Sequence, residues 1–579
     1  MPAESIEELE EEETKVRGKS HLHELEQRWQ MALSEATGDA EVEYLVHHNR
    51  FRIRNITSLR KKRPGILLGY INDSHFPNFQ TVEILKVADI VSLSLKEDSS
   101  DEVDRVSYHL TKDDMNAIRK RLPRGFTPSF FWDMQAAHGH VHPRGLSCAP
   151  FPSVASICHV QQGPAVKTIC EMFDFVLPVG KVFSGAVSYG KASVLNLPFG
   201  FNWASFHRWF KSIEKSRDID VSITFSDSSN PVYHQLRNQV LSLASKLQKK
   251  WAGRFRIEIK SDLSKEHYRD LLQRSKISIN VVGINGPYNY RSCEIVNAGA
   301  LLFQANVIES GLPVDHEGIL EEGKDFVSFS LDNLEERLLE YLENEEIASG
   351  MASSAFRRIK EKYSYEELAS SLTNEISKVP FKRESSSLDQ DDFLLGNFLW
   401  QQHQNEDTRL LGAAFIGQTL VRCTDDLRFF SNCLAILPEL IKALGFDFLK
   451  NAIFSRNPGL AESLDPSNLK QIAVQLFTLK VDHVATCYNF LSLSLELRWS
   501  PPGTLRPIAE QAFVGKQWPS FSPDWVLRPC GSIHDMDSSE FNELRYQHFH
   551  LPLLKASNKE QEWIVYRNYL FALLGIEAS

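Results

Sequence analysis

Two stretches of the chain each alternate short apolar runs with longer amphipathic ones, and that alternation leaves few folds open. In the first, Gly65 to Ile71 is an apolar run bounded by Pro64 and by Asn72-Asp73-Ser74. Similar runs follow at Ile90 to Leu95, Val154 to His159 and Phe173 to Pro178, with helical stretches between them, as at Lys112 to Arg121. Runs this short, closed by turn residues, predict buried strands. From Asp218 the pattern repeats as strand Val221 to Phe225, helix Val232 to Trp251, strand Phe255 to Ile259, helix Glu266 to Arg274 and strand Lys276 to Val282. Short apolar strands that alternate with helices belong in a parallel sheet with helices on its faces. The expected class is α/β, with two Rossmann-like domains.

Around those two series the rest of the chain divides. Residues 1–60 are expected to form an acidic start and a helical arm. The run 5–14 reads as solvated and frayed, and Leu22, Leu25, Trp29 and Leu33 mark one apolar helix face by their three- and four-residue spacing. Residues 61–200 form the first Rossmann-like domain and 201–382 the second, with Leu195 to Gly200 as the hinge. Late in the second come a short helix at Arg291 to Asn297, strands Ala300 to Gln304 and Asp325 to Phe329, and helices opened by the capping boxes Asp332/Glu335 and Ser364/Glu367. The polar, serine-rich stretch Arg383 to Asp392 reads as a linker, and 393–579 as an α-helical region, with amphipathic stretches such as Leu410 to Val421 and Val484 to Leu497.

Composition removes several function classes. The 64 Lys and Arg against 75 Asp and Glu give a net charge of -11, which is not the basic footprint of a nucleic-acid binder. The acidic start lacks the basic-then-apolar layout of a secretion signal, and no apolar run is long enough to span a bilayer. Eight cysteines without a Cys-x-x-Cys pair point to neither zinc nor disulfides, so a reducing cytoplasm is the expected compartment.

The segment richest in chemistry is Asn285-Gly-Pro-Tyr-Asn-Tyr-Arg-Ser-Cys-Glu-Ile-Val-Asn-Ala-Gly-Ala-Leu-Leu-Phe, directly after the predicted strand Lys276 to Val282. A loop in that place lies at the carboxyl edge of the sheet, where open α/β folds bind ligands. The helix that follows offers its N-terminus to a diphosphate, and Glu294, a turn further on, is placed to accept both hydroxyls of a ribose. Gly286 and Gly299 would allow close backbone approach on either side. Against this stands a purely structural role, with Glu294 favoured by the helix dipole and Gly299 a C-terminal cap.

The segment resembles the donor-binding stretch of group 1 glycosyltransferases, in particular the spore-maturation-protein-like branch. Arg291 and Glu294 lead into Ala298-Gly299-Ala300, and Gly323-Lys-Asp-Phe-Val-Ser-Phe329 and Lys362-Tyr-Ser-Tyr-Glu366 resemble the next strand and closing helix of that family. Upstream, Ile223-Thr-Phe-Ser-Asp-Ser228 with Arg237 is similar to its first donor-domain strand, loop and helix arginine, with Ser226 where a glycine is common. The resemblance covers residues 218–378, touches 64–200 only in architecture and leaves 393–579 out. It implies a GT-B fold, two Rossmann-like domains facing a cleft, and transfer of a sugar from a nucleotide diphosphate-sugar donor to a glycan or protein acceptor, without metal or other cofactor. It implies further that Glu294 binds the ribose, that Arg291, with Ser226, Asn285, Gly286, Tyr290 and Gly299, lines the donor site, and that Arg291 is also catalytic, stabilising the charge that builds on the leaving group. Many retaining members carry a second acid eight positions before the glutamate; here that position is Gly286.

In the first domain His159 closes a predicted strand, where it is either a catalytic base toward an acceptor hydroxyl or a structural histidine. Asn72, Asp73 and His75 are candidates of the same kind. His138, His140 and His142 alternate, but Gly139, Pro143 and Gly145 read as a loop, so an acceptor-side or merely polar loop is expected there rather than a metal site. Two further functions stay open: a nucleotide-sugar epimerase, and a catalytically inactive interaction protein working through its helical region.

Overall fold

The computed structural model describes residues 5–402, 411–412 and 415; its breaks of four or more residues are 70–78, 96–102, 137–141, 158–168, 179–191, 198–215, 226–234, 284–287, 309–312 and 382–387. Two parallel sheets organise these residues. The first has seven strands: β1 (Gly65–Leu68), β2 (Asp89–Ser94), β3 (Arg105–Ser107), β4 (Phe130–Asp133), β5 (Ser153–Ile157), β6 (Phe175–Pro178) and β7 (Ser193–Val194). They lie in the order β3-β2-β1-β4-β5-β6-β7, and every pair is parallel. The second has five: β8 (Ile219–Ile223), β9 (Ile257–Ile259), β10 (Ser275–Asn280), β11 (Leu301–Ala305) and β12 (Phe326–Phe329), in the order β12-β11-β10-β8-β9, again all parallel.

Each order reverses once, and the reversal matters for function. From β1 the first sheet grows to β2 on one side and to β4 on the other; from β8 the second grows to β9 and to β10. Connections that leave in opposite directions open a crevice beyond the carboxyl ends of the two central strands, the place where such sheets receive ligands.

Three helices precede the first sheet: α1 (Ile6–Lys15), α2 (Lys19–Glu35) and α3 (Asp39–Asn55). They enclose their own core of Leu9, Leu22, Leu25, Trp29, Ala32, Phe51 and Leu59. The acidic start is therefore not frayed. Ser5 and Glu8 form a capping box, Leu9 is fully buried, and Glu11, Glu12 and Glu13 pair with Lys15, Arg28 and Arg54, so the charge run is neutralised along one helix. The triplet is tied to β2 through Asn49, whose side chain donates to the Ile90 carbonyl at 3.0 Å and accepts the Ile90 N–H at 2.8 Å. This replaces a missing strand neighbour with an amide.

The helices between and after the strands are α4 (Phe79–Leu85), α5 (Met115–Arg121), α6 (Gln235–Lys250), α7 (Lys265–Arg274), α8 (Tyr290–Asn297), α9 (Leu334–Glu343), α10 (Glu345–Lys362), α11 (Tyr365–Lys378) and α12 (Leu388–Gln402). Ser364 caps α11 as expected, accepting the Glu367 N–H at 3.2 Å. The Asp332 box does not form. Asn333 precedes α9, and its side chain accepts the Ser330 N–H at 2.8 Å, closing the turn rather than the helix. Tyr365, the first residue of α11, lies against Trp132 of β4 with ring centroids 6.1 Å apart, and α11 packs on α4.

The stretch Arg383 to Asp392 is not wholly a linker. From Leu388 it is helix, and Asp391 and Asp392 are buried against the segment between β4 and β5: Arg144 holds Asp392 with two hydrogen bonds of 2.7 Å, and Asp391 accepts the Ser147 N–H at 2.8 Å. A polar composition here marks an ion-paired docking face, which composition alone does not separate from a solvated one. Beyond these helix starts, 416–579 and the stretches Leu410 to Val421 and Val484 to Leu497 fall outside the described residues, apart from Leu411, Gly412 and Phe415.

Candidate functional site

The reversal between β8 and β10 gathers the candidate site. Beyond β8 come Thr224 and Phe225; beyond β10 come Val281, Val282 and Gly283, and after the break at 284–287 the chain enters α8. A buried polar network fixes that entry. The Asn280 amide is shared among Asn289 (2.9 Å), Ser292 (2.9 Å) and Gln304 (2.8 Å), and Asn289, the N-cap of α8, accepts the Ser292 N–H at 3.2 Å. One orphan donor of the helix start is therefore taken by Asn289 rather than left open. Networks satisfied in this way hold a single geometry.

Arg291 and Glu294 sit one turn apart on α8 and share a face. The Arg291 guanidinium lies 5.6 Å from the centre of the Phe225 ring, and Arg237 of α6 lies 5.8 Å from the same centre. A Cβ added to Gly283 would stand 3.5 Å from Arg237 Nη2, so the backbone end of β10 borders this pair. Both guanidiniums therefore border the same ring, and groups of this kind can donate charge-assisted hydrogen bonds to an anion. Glu294 is partly open to solvent, and its Oε2 accepts the Tyr268 hydroxyl of α7 at 2.5 Å. Burial pushes the Glu294 carboxyl above the usual carboxylate range, while the Tyr268 hydrogen bond and the Arg291 charge pull it back. Burial, then the Glu294 charge, push the Tyr268 phenol up, so it stays a donor.

Of the residues expected at the donor, the structure brings Arg291 and Glu294 together and sets Tyr290 at the head of the same helix, partly buried against the core. Ser226, Asn285, Gly286 and His159 lie outside the described residues, as do Asn72, Asp73, His75, His138 and His140. Gly299 is not at this end of the sheet. It follows the last turn of α8 with φ 72°, where its N–H closes on Val296 and that of Ala300 on Ile295, just before β11 starts at the opposite edge. The cap role is the one observed, and only glycine takes that backbone without strain. Gly299→Ala is accordingly expected to cost about 1–2 kcal/mol in denaturant unfolding and to leave nucleoside diphosphate affinity unchanged; weaker affinity at unchanged stability would return Gly299 to the ligand.

His142 also departs from expectation, since it is fully buried rather than part of a polar loop. Its Nδ1 lies 2.9 Å from Asp133 Oδ2 at the end of β4, and Phe173 and Phe398 pack on its ring at centroid distances of 5.2 and 4.6 Å. Among the described residues no three His, Cys, Asp or Glu side chains gather as metal ligands, and no helix is long and apolar enough to cross a membrane. Sequence reasoning missed Tyr268, because its bond to Glu294 spans 26 positions and a single tyrosine in an amphipathic helix carries no local signal.

No curated protein matches the chain. Among solved structures, HepE of Anabaena in complex with UDP-glucose is similar over 54% of this chain and all of its own, at 10% identity and a TM-score of 0.34. A glycosyltransferase of Rickettsia africae ESF-5 is similar over 55% of this chain and all of its own, at 10% identity and a TM-score of 0.35. An alpha-glucosyltransferase in complex with UDP and a 13-mer DNA covers 55% of this chain and all of its own, at 8% identity and a TM-score of 0.37. Residues 208–374, which carry β8 to β12 and the helix of Arg291 and Glu294, match the family described as glycosyl transferase-like.

Proposed function

We propose that the chain is a glycosyltransferase that takes a sugar from a nucleotide diphosphate-sugar bound at the carboxyl end of β8 and β10 and passes it to a glycan or protein hydroxyl. The carrying observation is that Arg237, Arg291 and Glu294 meet at the strand-order reversal, inside the stretch that matches the glycosyl transferase-like family. On this scheme Glu294 accepts the ribose hydroxyls, and the two guanidiniums face the diphosphate. As the bond from sugar to diphosphate breaks, negative charge grows on the departing phosphate, and fixed cations there lower the barrier. The arginines supply that charge, so the scheme calls for no metal. The first sheet then faces the sugar from the other side of a cleft and carries the acceptor. The site of action is the cytoplasm, in keeping with thiols at Cys148, Cys170 and Cys293.

Thermal unfolding of wild type and Glu294→Ala against UDP, GDP, TDP and their sugar conjugates tests this. A ligand at 100 times its dissociation constant is expected to stabilise wild type by about 2.7 kcal/mol, with most of that lost in the variant. An unmoved transition across the whole panel rejects the donor site.

A further inference from the structure

We infer that Tyr268 is a positioning residue for this site: it holds the Glu294 carboxylate by one oxygen, so that the other is presented, ionised, to the ribose hydroxyls of a nucleoside diphosphate. The inference rests on the donor site proposed above.

Three observations carry it. The Tyr268 hydroxyl and Glu294 Oε2 are 2.5 Å apart, the short end of hydrogen bonds from a hydroxyl to a carboxylate. The two residues come from different helices, α7 and α8, whose starts are set independently by the Ser264 cap and the Asn289 cap, so the bond is held from both sides. Finally, Arg291 is turned toward Phe225 and its Nε is buried with no hydrogen-bond partner, so it does not take over the carboxylate. A carboxyl in such a place is at risk of protonation, and a protonated carboxyl has lost an acceptor that a diol needs.

The groups that act on the carboxyl are few. Tyr268 reaches it from α7 and Arg291 from its own helix, and both oppose the effect of burial; Arg237 of α6 stands on the far partner of Arg291, the Phe225 ring, and Thr224 beyond β8 lies by the phenol. Removing the phenol hydroxyl leaves Arg291 alone against desolvation, so the carboxyl protonates at a higher pH. Ribose binding, which needs the ionised form, is then lost earlier as pH falls.

The experiment is calorimetric titration of the nucleoside diphosphate found in the panel above, from pH 5 to 9, into wild type, Tyr268→Phe, Glu294→Gln and the double variant, with its 2′-deoxy analogue as a second probe. Tyr268→Phe is expected to weaken the ribonucleotide about fivefold at neutral pH, the size of one hydrogen bond. Its acid limb should move to higher pH, and it should cut the preference for ribose over deoxyribose. In the Glu294→Gln background the same substitution should change nothing further. A Tyr268→Phe variant with the wild-type pH profile and the wild-type ribose preference overturns the positioning role while leaving the donor site standing. Wild type that binds no nucleotide overturns the donor site itself, and the inference with it. An effect of equal size in both glutamate and glutamine backgrounds shows that Tyr268 acts through packing, and also overturns it.

Discussion

Replacing both Arg237 and Arg291 with alanine is expected to weaken nucleoside diphosphate binding by ~10²–10⁴-fold, since each charge-assisted hydrogen bond contributes about 1.5–3 kcal/mol. Arg291 and Arg237 lie 5.6 and 5.8 Å from the centre of the Phe225 ring, and the proposed donor site puts both at the diphosphate. Each single variant leaves the other cation in place and should lose less than half of the total in free energy, because the surviving guanidinium still serves the same diphosphate and the two losses are not additive. The corresponding nucleoside, which has no phosphate, should bind wild type and double variant alike. Salt discriminates as well: the affinity of wild type for the diphosphate should fall with ionic strength more steeply than that of the double variant. Titration calorimetry on the four proteins reads all of this, and near-equal affinities for the diphosphate would remove the arginines from the site.

Arg52→Ala is expected to lower unfolding free energy by about 3–5 kcal/mol, the cost of stranding one member of a buried ion pair. Arg52 is 1% exposed, and its Nε donates to Asp89 Oδ1 at 2.9 Å; Asp89 is itself 0% exposed, and Arg52 also pairs with Glu26. Arg63 stands 3.9 Å from the same Asp89 oxygen and remains after the substitution, which places the loss toward the lower end. The effect should spread, since α3 carries Arg52 beside Asn49, and Asn49 ties the N-terminal helices to β2. Replacing Arg52 and Asp89 together by methionine and asparagine is expected to recover only part of the loss, because Asp89 is no longer stranded but Glu26 still loses Arg52 and Arg63 loses Asp89. Urea unfolding of the three proteins checks it; a loss below about 1 kcal/mol for Arg52→Ala would mean that water reaches Asp89.

Most of the second sheet was legible in the sequence, and the reason is local. Its strands are runs of three to six residues rich in Ile, Val, Leu and Phe, with helices whose ends carry their own signals, so Lys276 to Val282 was expected where Ser275–Asn280 is found, and Arg291 to Asn297 where Tyr290–Asn297 is found. The first sheet was read less fully. β3 is only Arg105–Ser107, polar at both ends, and β4 is the aromatic run Phe130–Asp133 between turn residues, so neither shows a period. Polar stretches misled in the same way: the acidic start read as solvated and the stretch holding Asp391 and Asp392 as a linker, because their partners, Arg28 and Arg54 in one case and Arg144 and Ser147 in the other, lie far along the chain. At the site, Arg291 and Glu294 were found because they are one helical turn apart, whereas Gly299 was drawn in by nearness in sequence although a whole helix separates the two ends.

What the sequence by itself determined is the α/β class, the helix that bears Arg291 and Glu294, and the edge of the sheet that this helix follows, because strand length, helix period and caps are written in neighbouring residues. Only the tertiary structure decided that β8 and β10 flank the reversal, that Arg237 and Arg291 share one aromatic ring, that Tyr268 holds Glu294, and that Gly299 is a cap. Those are distances between residues remote in sequence, and a chain carries no local record of them: they follow from which apolar faces pack together, and a hydrogen bond 26 positions long exists only after that packing is complete.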